Sequence, residues 1–264
     1  SRVNYGPIRL RNALGNSLNI PAVKAAIFTG SQDLLELLHR FGFELPEHPE
    51  FYGEGLALGN GEVSLFEMVQ AYAALSEAGK WRPLSYKLGG EGSSAREVVQ
   101  TEVASIITDI LADPEARQLE FGGGDLLRFP TETAIKTGTS TDYTDAWAVG
   151  YNSRYVAGVW IGNLNRKPMR EVSGASGPSL VLRALFAELD KHSTGTPLYR
   201  SPSLLQRTVC SVTGKLARTN CPTVSEWFIK GSLPTKQCDH NHDSNLQQAI
   251  DREPEFKIIL PTPG

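Results

Sequence analysis

Residues 134–161 constrain the fold more than any other part of the chain. Ala134–Ser140 is short and rich in threonine. Ala146–Tyr151 and Tyr155–Ile161 are apolar, with Trp147, Trp160 and several β-branched side chains, and Asn152-Ser153-Arg154 separates them. Two such runs joined by a short polar triplet predict a β-hairpin. A tight turn can only join antiparallel strands, so the sheet at the centre of this chain is antiparallel.

The flanking sequence has a different period. Residues 8–29 read as helical segments, with Pro21 opening a short helix to Phe28. Ser31 caps a second helix whose apolar side carries Leu34, Leu35, Leu37 and Leu38, and Gly42 stops it. Four glycines and two prolines make 46–62 a loop. Ser64 and Glu67 have the spacing of a capping box, which starts a helix running to Ala78 before Gly79. A further helix is expected over Ala95–Leu111, before Pro114. Gly177-Pro178 opens a last helix with Leu182, Leu185, Phe186 and Leu189 at helical spacing. Helices, then antiparallel strands, then a closing helix specify an α+β fold: an antiparallel sheet flanked by helices, not alternating βαβ units.

Composition narrows the function classes. Hydrophobic residues at 40% and charged residues at 21% are sufficient for a packed core. No apolar run reaches the length of a membrane-spanning helix. Twenty-six Lys and Arg against 29 Asp and Glu give a net charge of −3, which is no footprint for nucleic acid. All three cysteines, Cys210, Cys221 and Cys238, lie in the last quarter, where prolines are also frequent. Three units are therefore expected: a body over 1–194, a linker and small loop-rich cysteine module over 195–252, and a terminal unit over 253–264 with a strand-like run at Phe256–Leu260.

Two short motifs carry chemistry: Ser17-Leu18-Asn19 and Lys136-Thr137-Gly138-Thr139. Alone, each has a bland reading. Ser17 and Asn19 suit the start of the Pro21 helix, Lys136 suits a solvated sheet edge, and Thr137 and Thr139 suit any strand. In this order, with the second motif on a strand before a hairpin, they match the S-x-N and K-T-G pair of serine acyl-transferases. A hydroxyl at Ser17 can accept and donate a proton. Asn19 offers both a carbonyl and an amide group. Lys136 supplies positive charge for a neighbouring lysine or a substrate carboxylate, and Thr137 and Thr139 can hydrogen-bond that carboxylate. Gly138 lets a substrate backbone lie against the strand. The N–H of Thr139 can serve as an oxyanion donor if it lies at an open sheet edge.

The stretches Ser17-Leu18-Asn19-Ile20-Pro21-Ala22-Val23, Gly55–Ser64, Lys136–Ser140, Asp145–Tyr151 and Gly158–Asn163 together resemble the transpeptidase domain of class A penicillin-binding proteins over roughly residues 5–190. The D-A-W form at Asp145-Ala146-Trp147, the stretch Ser173–Ser176 and the cysteine-bearing tail are most similar to the 1C type of that family. The resemblance implies a fold like the serine β-lactamases and transpeptidases. It also implies acyl transfer from D-alanyl-D-alanine stem peptides of peptidoglycan, with β-lactams as substrate mimics. Catalytic roles would fall on Ser17, Asn19 and Lys136, and substrate binding on Thr137, Gly138 and Thr139. Such proteins also carry an upstream glycosyltransferase domain and a membrane anchor, and work on the periplasmic or extracytoplasmic face of the inner membrane.

No serine in this sequence has lysine three residues later, so the S-x-x-K nucleophile of the family is expected upstream. The chain alone is then expected to be inactive. The family's 1C type also implies that Phe256–Pro261 begins a further small β domain. A serine β-lactamase fits less well, given S-L-N and the long tail. A non-catalytic cell-wall binding or scaffolding module is the reading from a different functional class.

No cofactor is expected for acyl transfer. Trp147 and Trp160 are expected in the core, Asp145 at a strand start, Glu62 in a loop, and His39 and His48 in incidental positions. The cysteines, with His240 and His242 nearby, could form a Cys₃His zinc site. The absence of a tight C-x₂-C instead favours one disulfide and a free thiol, pairing unassigned.

Overall fold

The computed structural model describes residues 5–85, 94–122, 127–170, 172–192 and 195–242. The first helices are α1 (Leu10–Gly15), α2 (Asn19–Thr29), α3 (Ser31–Arg40) and α4 (Pro49–Tyr52). Helix α5 (Leu65–Ser76) leads to a two-residue ribbon, β1 (Lys80–Trp81) with β2 (Arg96–Glu97), and then to α6 (Thr101–Ala112) and α7 (Gln118–Phe121). Strands β3 (Ala134–Thr139), β4 (Asp145–Tyr151) and β5 (Val156–Gly162) form the central antiparallel sheet, followed by α8 (Pro178–Leu189). The tail holds β6 (Leu205–Cys210) and β7 (Thr223–Phe228).

The sheet is a filling between helices. Residues Ile135 and Ala148 face Leu182 and Phe186 of α8, both of which are fully buried. Burying two such side chains contributes about 4 kcal/mol of hydrophobic stabilisation. On the other face, Ala134 and Tyr151 pack with Leu111 of α6 and Tyr72 of α5. Tyr151 keeps its hydroxyl hydrogen-bonded there to Thr108, at 2.7 Å. The hairpin turn is locked from outside: Asn152 Nδ2 and Thr131 Oγ1 both donate to Asp190 Oδ2, at 2.9 and 2.7 Å.

Several local expectations change. Gly30, not Ser31, is the N-cap of α3, and no side chain caps that helix. Helix α2 starts at Asn19, with Pro21 inside the first turn where its missing N–H costs nothing. The region expected as loop over 46–62 contains α4 and a 3₁₀ turn, Gly53–Leu58. Pro49 opens the helix, and Tyr52 and Leu56 find burial against Leu35 and Leu45. Helix α6 begins at Thr101 and not at Ala95, because Arg96 and Glu97 pair with β1. Trp147 and Trp160 are half-buried cross-strand neighbours, 6.4 Å between ring centroids, and not core residues. The capping box at Ser64 and Glu67 forms in full.

The tail is more ordered than its composition suggests: β6 and β7 pair in register from Leu205↔Phe228 to Cys210↔Thr223. Their connection is the excursion 211–222, too long for the turn signals that identify a tight hairpin. Phe256–Leu260 lies outside the described residues. A charge cluster joins the tail to the body. Arg11 of α1 reaches Asp109 at 2.6 Å, Asp113 at 3.0 Å and Glu226 of β7 at 2.9 Å, and Arg9 reaches the same Glu226 at 2.7 Å. Burial works against the Arg11 charge, but Asp109 and Glu226 more than offset it and hold the guanidinium ionised.

Removing Arg11 would take the shared cation from Asp109, Asp113 and Glu226, leaving Arg200 on Asp109 and Arg9 on Glu226. Arg11→Met should lower unfolding stability by about 3 kcal/mol and expose the tail to limited proteolysis, read by urea unfolding and by the cleavage pattern.

Candidate functional site

The two motifs, 119 residues apart, meet. The ammonium of Lys136 donates to Ser17 Oγ and to the backbone oxygen of Thr137, the latter at 2.7 Å. Strand β3 is an edge of the three-stranded sheet. The bond from Ser140 N to Asp145 O sets the phase of its ladder. Alternation then turns the N–H and C=O groups of Thr137 and Thr139 toward the open edge. Side chains alternate too. Lys136 and Gly138 face the α5–α6 side, and Thr137 and Thr139 face α8. A ligand lying along the edge can reach both sets.

Ser17 is held in an uncommon conformation. Its φ is +55°, in the left-handed region where a residue with a Cβ pays about 1–2 kcal/mol. Neighbouring contacts hold it there. Asn16 is 2% exposed and donates to the carbonyls of Asn12 and Ala116, at 2.8 and 2.7 Å. Its Oδ1 accepts from the N–H of Glu120 at 2.9 Å. Gly15 packs so closely that an added Cβ would lie 2.6 Å from the Ala116 oxygen. Nothing in the sequence singled out Asn16; the available signal was a third polar residue directly before S-L-N.

Lys136 is half-buried, and desolvation pulls its pKa down to about 8. It remains mostly charged at neutral pH but is easily titrated. Thr139 Oγ1 accepts from the N–H of Gly174 at 2.9 Å, which leaves its own O–H available as a donor. A Cβ on Gly174 would lie 2.6 Å from the Gly138 oxygen and 2.7 Å from the Trp147 oxygen, so only glycine brings this loop against the strand. A Cβ on Gly138 itself would meet Trp147 at an ordinary 3.6 Å, so packing does not demand that glycine. Asn19, the first residue of α2, is exposed, and no hydrogen bond joins it to Ser17 or Lys136 among the described residues. Two cavities of about 490 and 600 Å³ lie elsewhere, beside Arg11 and beside Asp190. The Ser17–Lys136 pair lines neither cavity; it brings a hydroxyl and an ammonium together beside the edge strand of the sheet.

The remaining candidates have structural roles. Asp145 opens β4 and accepts from Trp160 Nε1 and Thr144 Oγ1, both at 2.9 Å. These bonds outweigh its desolvation and hold its pKa below the ordinary carboxylate value. His39 Nε2 bonds the Leu45 oxygen at 2.9 Å, and His48 is the N-cap of α4. Glu62 makes an exposed contact with Arg166. The expected disulfide is absent: Cys210, Cys221 and Cys238 are free thiols. They converge as a group of three, so no two of them are set apart as a pair.

An antiparallel sheet between helices, with a lysine strand at its edge beside an S-x-N turn, is the arrangement of serine acyl-transferases. The chain belongs to the penicillin-binding proteins: the model of the penicillin-binding protein transpeptidase domain matches residues 1–176. The model of the penicillin-binding protein 1A C-terminal domain matches residues 200–243. Relatives are class A penicillin-binding proteins. Penicillin-binding protein 1C of Escherichia coli K12 is 30% identical over 87% of this chain and 30% of its own length. Penicillin-binding protein 1A/1B of Bacillus subtilis 168 is 29% identical over 89% of this chain and 29% of its own length. The chain thus spans about a third of the curated relatives it matches. Penicillin-binding protein 1A from Haemophilus influenzae shares the fold, with a TM-score of 0.74 at 24% identity over 88% of this chain and 41% of that one. The penicillin-binding protein PonA1 from Mycobacterium tuberculosis gives 0.62 at 21% identity over 72% of this chain and 58% of that one.

Two positions test how the turn at Ser17 is held. Asn16→Ala strands the buried Ala116 carbonyl and should lower stability by about 2 kcal/mol. Ser17→Gly relieves the left-handed backbone but also removes the hydroxyl that Lys136 binds, so it should be about 1 kcal/mol more stable than Ser17→Ala, which lacks the same hydroxyl and keeps the Cβ. Urea midpoints measure these changes, and a Ser17→Gly variant no more stable than Ser17→Ala would refute the strain argument.

Proposed function

We propose that this chain is part of the D-alanyl-D-alanine transpeptidase of a bifunctional peptidoglycan synthase. The observation that carries this reading is the hydrogen bond from Lys136 to Ser17 at an open strand edge. A serine from an S-x-x-K segment elsewhere in the parent polypeptide attacks the D-Ala–D-Ala carbonyl. The oxygen of that carbonyl is met by N–H donors that include Thr139. Ser17 passes a proton to the departing D-alanine amine as the acyl-enzyme forms. An amine of a second stem peptide then takes the acyl group, and the serine is regenerated. Lys136 holds the Ser17 hydroxyl and, with Thr137 and Thr139, the terminal carboxylate of the substrate. Asn19 positions the substrate amide, and Gly138 leaves the strand face clear. β-Lactams acylate the same serine.

The division into a transpeptidase part over 1–194, a linker and cysteine module over 195–252 and the start of a further β domain over 253–264 belongs to the same proposal. So do the glycosyltransferase domain of the parent protein and its anchoring at the outer face of the inner membrane. No helix among the described residues is long and apolar enough to cross a membrane, which leaves anchoring to another segment. Exposed apolar side chains on α2, Ile20, Ile27 and Phe28, support the packing of further chain on this body.

Labelled penicillin tests the reading. The longer parent chain should label covalently and turn over slowly, and the 264-residue chain alone should not label. Rapid hydrolysis would mark a β-lactamase, and no labelling of the parent would mark a binding module. Ser17→Ala in the parent should slow acylation by about 10²-fold or more.

A pH dependence follows from Lys136. Its charge is lost as pH rises through about 8, so acylation by an anionic penicillin should fall across that range. Lys136→Arg keeps its charge and should flatten the fall. An unchanged profile in that variant would remove Lys136 from carboxylate binding.

A further inference from the structure

The tail module has little to hold it together by packing alone. Over 200–242 the buried apolar side chains among the described residues are Leu204, Val209 and the thiols of Cys210 and Cys238. A unit this small ordinarily needs disulfides or a structural metal. It has no disulfide. Its backbone instead brings four ligand-bearing residues to one point. Cys210 ends β6, with its N–H bonded to the Lys215 oxygen at 2.8 Å. Cys221 sits two residues before β7, in a turn closed by its own N–H to the Arg218 oxygen at 3.0 Å. Cys238 lies beside Leu216, its N–H bonded to that residue's oxygen at 2.8 Å. His242 follows four residues later.

The ligand atoms of Cys210, Cys221, Cys238 and His242 all lie within 4.8 Å of one another. His242 Nε2 is 3.5 Å from Cys210 Sγ and 3.3 Å from Cys238 Sγ. A tetrahedral zinc ion with Zn–S of about 2.3 Å and Zn–N of about 2.0–2.1 Å requires an S···N edge of roughly 3.6 Å. The observed edges match that figure to within a few tenths of an ångström. The sulfurs also receive donors: Arg218 N–H reaches Cys221 Sγ at 3.2 Å and Thr213 Oγ1 reaches Cys238 Sγ at 3.3 Å. Such donors orient metal-bound thiolates and spread their charge. His240 is not among the convergent ligand atoms; its ring meets that of His242 edge-on, with 4.8 Å between ring centroids.

We propose that Cys210, Cys221, Cys238 and His242 form a structural zinc site that closes the tail module. Binding releases the three thiol protons to solvent and leaves a Zn²⁺ with three thiolates and a neutral imidazole, a net charge of −1 and no change of oxidation state. The proposal stands independently of the acyl-transfer reading.

The test uses the full chain, purified under reductant, given one equivalent of Zn²⁺ and desalted. A chromogenic chelator should then release one zinc per chain. Co²⁺ in its place should show the visible absorption of a tetrahedral thiolate site. Cys238→Ser should weaken zinc binding by about 100-fold or more, and His242→Cys should retain it. If Cys238→Ser does not fold, the wild-type chain and His242→Cys still decide. Failure of the reduced wild-type chain to hold stoichiometric zinc would overturn the proposal. So would an unchanged cobalt spectrum in a folded Cys238→Ser variant, or two thiols that resist alkylation before reduction whether or not zinc is present.

Discussion

The outer edge of β3, which no further strand joins among the described residues, is the constraint on which the rest of the arrangement rests. One side of the strand is consumed by the ladder to β4, and both faces of the sheet are covered by helices. What remains is a single row of backbone donors and acceptors, and unsatisfied groups of that kind are costly wherever they are shielded from water. An edge like this must be covered, charged or used. Here Lys136 stands on it and folds toward α1, and the loop carrying Gly174 closes over its far end.

The same edge explains why the start of the chain is built as it is. A serine in the left-handed region is an unfavourable way to end a helix, where glycine or asparagine would ordinarily serve. It persists because the neighbouring Asn16 is buried and fully engaged with α1 and the 116–120 segment. Strain held in place by a packed neighbour is common where a side chain must point in one direction. In this chain that direction is toward the ammonium of Lys136.

The tail is tied to this geometry through charge. Glu226 of β7 holds Arg9, the N-cap of α1, and Arg11 within that helix, which leads on to Ser17. Asp109 of α6 binds Arg11 from the opposite side and also takes Arg200 at 2.5 Å. A module with so small an apolar core contributes to the body only if something else fixes its own shape. Four convergent ligand atoms supply a means that packing does not.

Turn, cap and periodicity signals specified the hairpin over 146–161, the capped helix after Ser64 and the closing helix opened by Gly177-Pro178, because those signals are local. The pairing of β6 with β7 was not legible, since its strands alternate weakly and are joined by a long excursion. The S-x-N and K-T-G motifs could be read as chemistry from residue types and order, but not as a site. Their meeting depends on a fold that brings residues 17 and 136 together, and on Asn16, whose burial no local pattern predicts. Spacing pointed the cysteines toward a disulfide because no tight pair was present. Tertiary structure decided otherwise, since thiols from a strand end, a turn and a third bridging segment become neighbours only after the backbone has paired.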